Sequence, residues 1–166
     1  MTKIGILSDT HGSLPSAATT FFNDVNEIWH AGDIGNTEVI NNIREINPRI
    51  KAVFGNIDGM SIKTIFPEQQ IFSVENKKVC LLHIAGKPGN YTTLAKELIR
   101  VHHPDILVCG HSHILKIMYD ESNSLLFINP GAAGRFGLHK HITMVKLTIS
   151  NNEFKDIEIY DRKKSL

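Results

Sequence analysis

The segment "KIGILSDTHGSLPSAATTFFNDVNEIWHAGD" (residues 3–33) predicts a strand, a helix and a second strand in succession. Residues 3–9 and 27–33 are apolar runs that each end in an aspartate. Residues 14–25 between them are predicted to form a helix with Pro15 in its first turn. Two strands joined by a crossover helix normally lie parallel in one sheet, so this segment indicates an α/β fold.

The alternation continues along the chain and then changes character. A helix is predicted over 36–46, and Pro48 follows its end. A third strand is predicted over 50–56. Beyond it the pattern predicts two strands within 70–84, a helix over 92–103, a strand over 105–110 and hairpin strands within 116–130, 141–150 and 153–161. We therefore expect two packed sheets flanked by helices, in one domain spanning residues 1–166.

Composition narrows the class of protein. The chain has 166 residues, a formal net charge of +1, and hydrophobic and charged fractions of 42% and 21%. These values are typical of a globular protein, and the charge gives no strong signal for nucleic acid or a membrane surface. No apolar run approaches the roughly 20 residues of a spanning helix. The N-terminus is predicted to be a strand rather than a signal peptide, and Cys80 and Cys109 to be buried thiols, so a cytoplasmic location is expected.

Potential metal ligands follow five of the predicted strands. Ligands of open α/β sheets bind outside the carboxyl ends of the strands, so these positions are where a site is expected. One aspartate there is a common helix cap, but five successive strand ends with ligating residues are hard to explain by capping. The residues are Asp9 and His11, Asp33, Asn56, His83, and the pair His111 and His113.

This set of side chains indicates two metals rather than one. Four imidazoles and two carboxylates exceed the roughly four ligands of a single zinc. A carboxylate has two oxygens and is able to bridge two ions. Side chains two residues apart on an extended segment share a face, so His111 and His113 are expected to enter one cavity. Imidazole and oxygen ligands without thiolate favour manganese, iron, nickel or zinc over calcium.

The series "DTH" (9–11), "GD" (32–33), "GNID" (55–58), His83 and "GHSH" (110–113) resembles the calcineurin-like metallophosphoesterases, and most of all their small single-domain bacterial and archaeal phosphodiesterases. The resemblance implies a four-layer αββα sandwich with two divalent metals, manganese first and nickel, iron or zinc as alternatives. It implies a hydroxide between the metals that hydrolyses a small phosphate ester. Asp9, His11 and His113 would hold the first metal, Asn56, His83 and His111 the second, and Asp33 would bridge them.

The segment "NPGAAGR" (129–135) resembles the family's Asn-Pro-Gly-Ser segment. Arg135 at its end is the best candidate for a phosphate contact. The residues predicted to contribute directly to catalysis are thus Asp33, Asn56, His83 and Arg135.

Three positions depart from the family's pattern. Ile57 stands where many members have a histidine that is taken to protonate the leaving group. The small phosphodiesterase branch often lacks this histidine, so Ile57 favours a diesterase. Ile84 follows the lone His83 where many members have glycine, and Ala132 replaces the usual serine.

Two other functions stay open. One is a protein-binding scaffold with a degenerate metal site, as in the related retromer subunit, and the other is a nucleotide phosphomonoesterase. A homo-oligomer is also left open, with "SLLFINP" (124–130) as an apolar hairpin for an interface. Of the remaining histidines, His30 is interpreted as a packed or supporting residue. His139 and His141 are interpreted as parts of a polar turn, with lining of the cleft as the alternative.

Overall fold

A computed structural model describes residues 1–165, which form two larger sheets, a short two-stranded ribbon and four helices. The helices are α1 (Ala17–Phe21), α2 (Thr37–Ile46), α3 (Met60–Lys63) and α4 (Thr93–His102). The strands are β1 (Thr2–Leu7), β2 (Glu27–His30), β3 (Ile50–Ala52), β4 (Gln69–Val74), β5 (Lys77–Leu82), β6 (Gly86–Lys87), β7 (Asn90–Tyr91), β8 (Ile106–Val108), β9 (Leu115–Asp120), β10 (Leu125–Pro130), β11 (His141–Ser150) and β12 (Glu153–Lys163).

Both large sheets are mixed. The first has the order β12-β11-β1-β2-β3, in which β1, β2 and β3 are parallel, β11 pairs antiparallel with β1, and β12 pairs antiparallel with β11. The second has the order β4-β5-β8-β10-β9, with parallel β5, β8 and β10 between two antiparallel edge strands. Each sheet thus contributes three parallel strands whose carboxyl ends open onto loops.

The two-residue periodicity of the strands sorts their side chains into three apolar layers. Ile4 and Ile6 of β1 point between the sheets and pack with residues such as Val108 and Ile128 of the other sheet. The alternate residue Leu7 faces α1 and α2. On the outer face of the second sheet, residues of β5, β8 and β10 pack against α4. The expected four-layer αββα sandwich is confirmed.

Two strands and one helix are shorter than the sequence predicts. The strand expected over 3–9 ends at Leu7, and the strand expected over 27–33 ends at His30. The helix expected over 14–25 is only Ala17–Phe21, because Asn23 and Asp24 favour turns and the β-branched Thr19 and Thr20 are weak helix formers.

Two further observations concern the predictions from composition. Cys80 and Cys109 are free, buried thiols, as expected. No helix within residues 1–165 is long and apolar enough to cross a membrane.

Gly5 allows β1 to pack against α1, and its replacement provides a test of this packing. A Cβ at Gly5 would lie 2.7 Å from Cδ1 of Phe22, a ring that is buried and unable to swing away. We expect Gly5→Ala to lower the free energy of unfolding by about 1–3 kcal/mol, as overpacked cores do. Urea denaturation measures the change. If Phe22 is the obstacle, Gly5→Ala combined with Phe22→Leu will cost less than the sum of the two single changes, whereas strict additivity would contradict this packing argument.

Candidate metal centre

The carboxyl ends of β1 and β8 bring together the first group of candidate ligands. Asp9 and His11 lie in the loop after β1, and His113 lies in the loop after β8. Their ligand atoms all lie within 4.8 Å of one another. Nε2 of His11 and Nε2 of His113 face each other at 3.2 Å. This approach suits two imidazole lone pairs directed at one cation.

A second group forms beside the first, from the ends of β2, β5 and β8. Ligand atoms of Asp33, His83 and His111 also lie within 4.8 Å of one another. The side-chain oxygen of Asn56 lies 3.0 Å from Nε2 of His83 and 2.9 Å from Nδ1 of His111. The structure thus brings all four of these predicted residues to one place.

Asp33 lies between the two groups. Its Oδ2 is 3.7 Å from Nε2 of His11, and its Oδ1 is 3.2 Å from Nε2 of His83. Each carboxylate oxygen therefore faces a different group, which is the orientation that a bridging ligand needs. Gly55 permits this placement, since a Cβ there would lie 2.1 Å from Oδ1 of Asp33.

The residues fit a pair of divalent cations. Oδ1 of Asp9 is buried and has no hydrogen-bond partner among residues 1–165, although Nε2 of His113 lies 3.2 Å away and Nε2 of His11 lies 3.7 Å away. A buried, unpartnered carboxylate oxygen is costly, and a bound cation removes that cost. The set of imidazole, carboxylate and amide ligands without thiolate is the donor set of manganese, iron, nickel and zinc sites.

The backbone at these positions is strained. Five of the candidate ligands have a left-handed backbone with φ between 45° and 70°, a region that non-glycine residues rarely occupy. Such strain persists only where the surrounding structure enforces it, and it concentrates at functional sites. The five are Asp9, His11, Asp33, His111 and His113.

Asp58 and Asn129 hold the ligand loops in place. The carboxylate of Asp58 is 3% exposed and accepts hydrogen bonds from the backbone N–H groups of Ile34, Gly35 and Gly55, which joins the loop after β2 to the loop after β3. The amide nitrogen of Asn129 donates to the carbonyl oxygen of Gly110 at 2.8 Å and fixes the start of the "GHSH" loop. Neither residue was in the predicted ligand set, although both lie in the motifs that carry the family resemblance.

His30 supports the site from beneath, as predicted. Its ring is fully buried. Nδ1 accepts from the N–H of Gly32, and Nε2 lies 2.9 Å from the hydroxyl of Thr10, which donates its own proton to the carbonyl of Ile34. Nε2 therefore carries the proton and the ring is neutral. In agreement, burial lowers the pKa of His30 to about 4.

The ligand carboxylates stay ionised despite burial. Burial raises the pKa of Asp33, but the hydrogen bond from His83 and the N–H of Ile57 more than offset it, so its pKa lies below the ordinary value. Burial also raises the pKa of Asp9, and the neighbouring imidazoles, His113 foremost, reverse the shift. Burial lowers the pKa of His83, yet Asp33 and Asp9 raise it above the usual value. Metal binding must therefore compete with a proton at His83.

Two predicted positions, Arg135 and Ile57, are not among the candidate ligands, and the cavity that Arg135 lines includes none of those ligands. Arg135 is exposed, and its guanidinium makes no hydrogen bond or ion pair within the described part of the chain. It lines a cavity of about 240 Å³ together with Ser13 and Arg162. Ile57 is 47% exposed and directly follows Asn56, so it has the position expected from the motif.

Open cavities flank both ligand groups. One of about 150 Å³ includes Asn56, His83 and Lys63, and one of about 650 Å³ includes His111, His113 and Lys140. A cavity of about 780 Å³ beside α4 contains none of the candidate ligands, so cavity size alone does not locate the site.

Comparison with known proteins agrees with the geometry. The family model of the calcineurin-like phosphoesterase superfamily domain matches residues 2–152. A protein of Methanocaldococcus jannaschii described as a phosphodiesterase is 32% identical over 139 residues, which are 78% of this chain and 82% of that protein. The chain therefore belongs to the calcineurin-like phosphoesterase superfamily.

Solved structures extend the comparison. A structure described as that of a novel archaeal phosphodiesterase matches with a TM-score of 0.76 and 26% identity, covering 95% of this chain and 99% of that one. Vps29 of Chaetomium thermophilum matches with the same TM-score, 0.76, at 16% identity and with 99% and 100% coverage. At that identity the second match shows the fold alone.

The neutral His30 predicts a pH dependence of stability. The unfolded chain takes up a proton at this residue as the pH falls below 6.5, whereas the folded chain does so only near pH 4. The free energy of unfolding should therefore fall as the pH drops through this window, by up to about 3 kcal/mol from this residue. Urea denaturation of metal-free protein at a series of pH values measures the fall. In His30→Gln the fall should be shallower, and parallel curves for the two proteins would contradict the assignment.

Proposed function

We propose that this protein is a metal-dependent phosphodiesterase that hydrolyses a small phosphate ester at two adjacent divalent metals. The observation that carries the proposal is the orientation of Asp33, whose two carboxylate oxygens face different groups of candidate ligands. A single-metal site has no need of this arrangement. Family membership supports the reaction class, and the match to a phosphodiesterase of M. jannaschii supports the diester preference.

The proposed ligand sets follow the two groups. Asp9, His11 and His113 hold the first metal, and Asn56, His83 and His111 hold the second, with Asp33 shared. Manganese is the proposed metal, with nickel, iron or zinc as alternatives, because these ions accept mixed imidazole and oxygen ligands. Two adjacent divalent cations polarise a bound phosphate and lower the pKa of a water molecule between them.

The protein's own residues supply charge and orientation. Two carboxylates do not neutralise two dications, so the centre keeps a positive charge that suits an anionic ester. The flanking cavities are lined by both signs of charge, Lys63 with Glu68 in one and Lys140 with Asp161 in the other, so the positive potential is proposed to come from the metals. Arg135 is proposed to contact the phosphate, since its guanidinium makes no ion pair within residues 1–165 and guanidinium groups pair well with phosphate oxygens.

The alternative function, a protein-binding scaffold with a degenerate metal site, makes a different prediction about the ligand positions. It predicts that some ligand positions have lost their ligating residues, whereas all seven here carry aspartate, asparagine or histidine. Elemental analysis combined with an assay separates the two functions. A folded protein that does not bind two metals and turns over none of a panel of aryl and nucleotide esters would favour the scaffold.

Metal dependence and the role of Asp33 form one test. Chelation should abolish hydrolysis of an aryl phosphodiester, and manganese should restore it. Asp33→Asn keeps the shape of the side chain but removes the charge that both metals share, so its kcat should fall at least about a hundredfold. The control is Asp156→Asn, at an exposed position of β12 outside the centre. Turnover by metal-free protein, or normal turnover by Asp33→Asn with two metals bound, would refute the mechanism.

Ile57 provides a test of substrate preference. An acid near the leaving oxygen typically contributes about 10²–10⁴-fold for esters with poor leaving groups, and isoleucine has no proton to give. Wild-type protein should therefore prefer diesters over monoesters. Ile57→His should raise the ratio of monoesterase to diesterase kcat/KM, measured on matched aryl esters at equal metal occupancy. Met60→His, which places a histidine at an exposed site three residues away, should leave the ratio unchanged. An unchanged ratio in Ile57→His would show that this position does not face the leaving group.

A further inference from the structure

His139 lies directly behind the candidate ligand His113. Nδ1 of His139 and Nδ1 of His113 are 3.1 Å apart, and the two rings meet edge to face with centroids 4.9 Å apart and an interplanar angle of 81°. Nε2 of His139 lies 2.9 Å from the carbonyl oxygen of Gly134. A chain of two imidazoles and one carbonyl therefore leads away from the metal centre.

The carbonyl determines where the protons of this chain lie. A carbonyl oxygen only accepts, so Nε2 of His139 must carry a proton and donate it to Gly134. In a neutral ring Nδ1 of His139 is then an acceptor, and the group facing it, Nδ1 of His113, must be the donor. That leaves Nε2 of His113 with a free lone pair. This nitrogen faces the ligand cluster, 3.2 Å from Oδ1 of Asp9 and 3.2 Å from Nε2 of His11.

The ring of His83 is also held with Nε2 toward the ligand cluster, but by a backbone carbonyl instead of a second imidazole. Its Nδ1 lies 2.7 Å from the carbonyl oxygen of Ala31, so Nε2 is the nitrogen left for the second metal. Nδ1 of His113 faces no carbonyl or carboxylate of the described residues and pairs with another imidazole instead. Without that imidazole, His113 has a competing tautomer, in which Nε2 carries the proton and donates it to Oδ1 of Asp9. This tautomer removes one ligand and occupies a second.

The loop that carries His139 packs closely against the ring of His113. Gly137 has a φ of +126°, and a Cβ there would lie 2.9 Å from the ring of His139 and 3.0 Å from that of His113. The N–H of Gly134 donates to the carbonyl of Asp9 at 3.1 Å, which ties the loop to the end of β1. At the far side, Nζ of Lys164 donates to the carbonyl of Gly137 at 2.9 Å.

We propose that His139 is a positioning residue that fixes His113 in the tautomer able to bind the first metal. The inference rests on the proposed two-metal function and adds a residue to it. His139 is not placed as a proton donor to substrate, because its Nε2 proton is directed to Gly134 and its ring lies on the side of His113 away from the ligand cluster.

Three variants separate hydrogen bonding from packing. His139→Phe keeps a ring of similar size but removes both hydrogen bonds. His139→Gln keeps an acceptor and a donor on one planar group. His141→Phe is the matched control, since His141 lies two residues away and pairs with Asp161 at the surface. Calorimetric titration of metal-free protein with Zn²⁺ measures each of the two affinities without any turnover.

We expect His139→Phe to weaken one of the two Zn²⁺ sites about 10–100-fold, the range typical when a ligand loses its supporting hydrogen bond. The other site should keep its affinity, His139→Gln should recover much of the loss, and His141→Phe should match wild type. Unchanged affinities in a folded His139→Phe protein would overturn the inference. An equal loss in His139→Gln would overturn it too, because restoring an acceptor and a donor would then have recovered no affinity.

A measurement on unaltered protein keeps the test independent of whether the variants fold. Nitrogen-15 NMR of the histidine rings in Zn²⁺-loaded wild type should show a proton on Nδ1 of His113 and none on Nδ1 of His139. A protonated Nδ1 of His139 would overturn the inference. Failure of wild type to bind two Zn²⁺ ions would instead contradict the proposed function, so the two results are distinguishable.

Discussion

The rest of the centre depends on one buried carboxylate, that of Asp9, where the two sheets meet. Its Oδ2 accepts a hydrogen bond from the N–H of His111, so the end of β1 in the first sheet is joined to the loop after β8 in the second. Its backbone carbonyl accepts from Gly134 and its N–H donates to Gly32, which brings two more loops to the same point. Within the described residues only Oδ1 has no hydrogen-bond partner, and it faces the imidazoles of His113 and His11. A residue that organises four segments and still presents one oxygen without a hydrogen bond inside residues 1–165 is at once a structural joint and a candidate ligand.

Keeping the ligand loops in this shape has an energetic cost. Left-handed backbone at a non-glycine residue costs about 1–3 kcal/mol, and five candidate ligands adopt it. Hydrogen bonds from residues next to the candidate ligands offset this cost. Asp58 accepts three from backbone N–H groups, and Asn129 donates one to a backbone carbonyl and accepts one from a backbone N–H. The apolar layers on both sides of each sheet fix the strand ends from which the loops depart. Asp58 and Asn129, which are not candidate ligands, therefore supply much of the hydrogen bonding that holds the strained ligand loops in place.

The sequence was sufficient for the layers and for the residues that the structure gathers into two candidate ligand groups, because both follow from local patterns. Alternating apolar residues indicate which face of each strand is buried, and polar residues after parallel strands meet at one edge. The strand ends were placed too late, since Asp9 and Asp33 read as strand termini although their positive φ angles exclude them from the strands. The short helix α3 and the ribbon of β6 and β7 were missed because elements of two to four residues have no periodicity to detect. His139 was assigned to a polar turn for a related reason. Its partner lies 26 residues earlier in the chain, and no local pattern reports a contact over that separation.

The ligand histidines also show how the protein prepares its site for cations before any bind. Nδ1 of His83 faces a carbonyl and Nδ1 of His113 faces His139, while His111 offers Nδ1 itself toward the oxygen of Asn56. The neighbour at Nδ1 is a carbonyl for His83, an imidazole for His113 and an amide oxygen for His111. Each neighbour sets which ring nitrogen carries the proton and which one is left to bind a cation. Without metal the charges partly neutralise one another, because Asp33 and Asp9 raise the pKa of His83 and that imidazole holds a proton more readily. In the proposed two-metal function, cations would displace this proton, and the carboxylates would then turn from partners of an imidazolium into ligands. That function therefore couples metal affinity to pH through the same residues that set the geometry of the site.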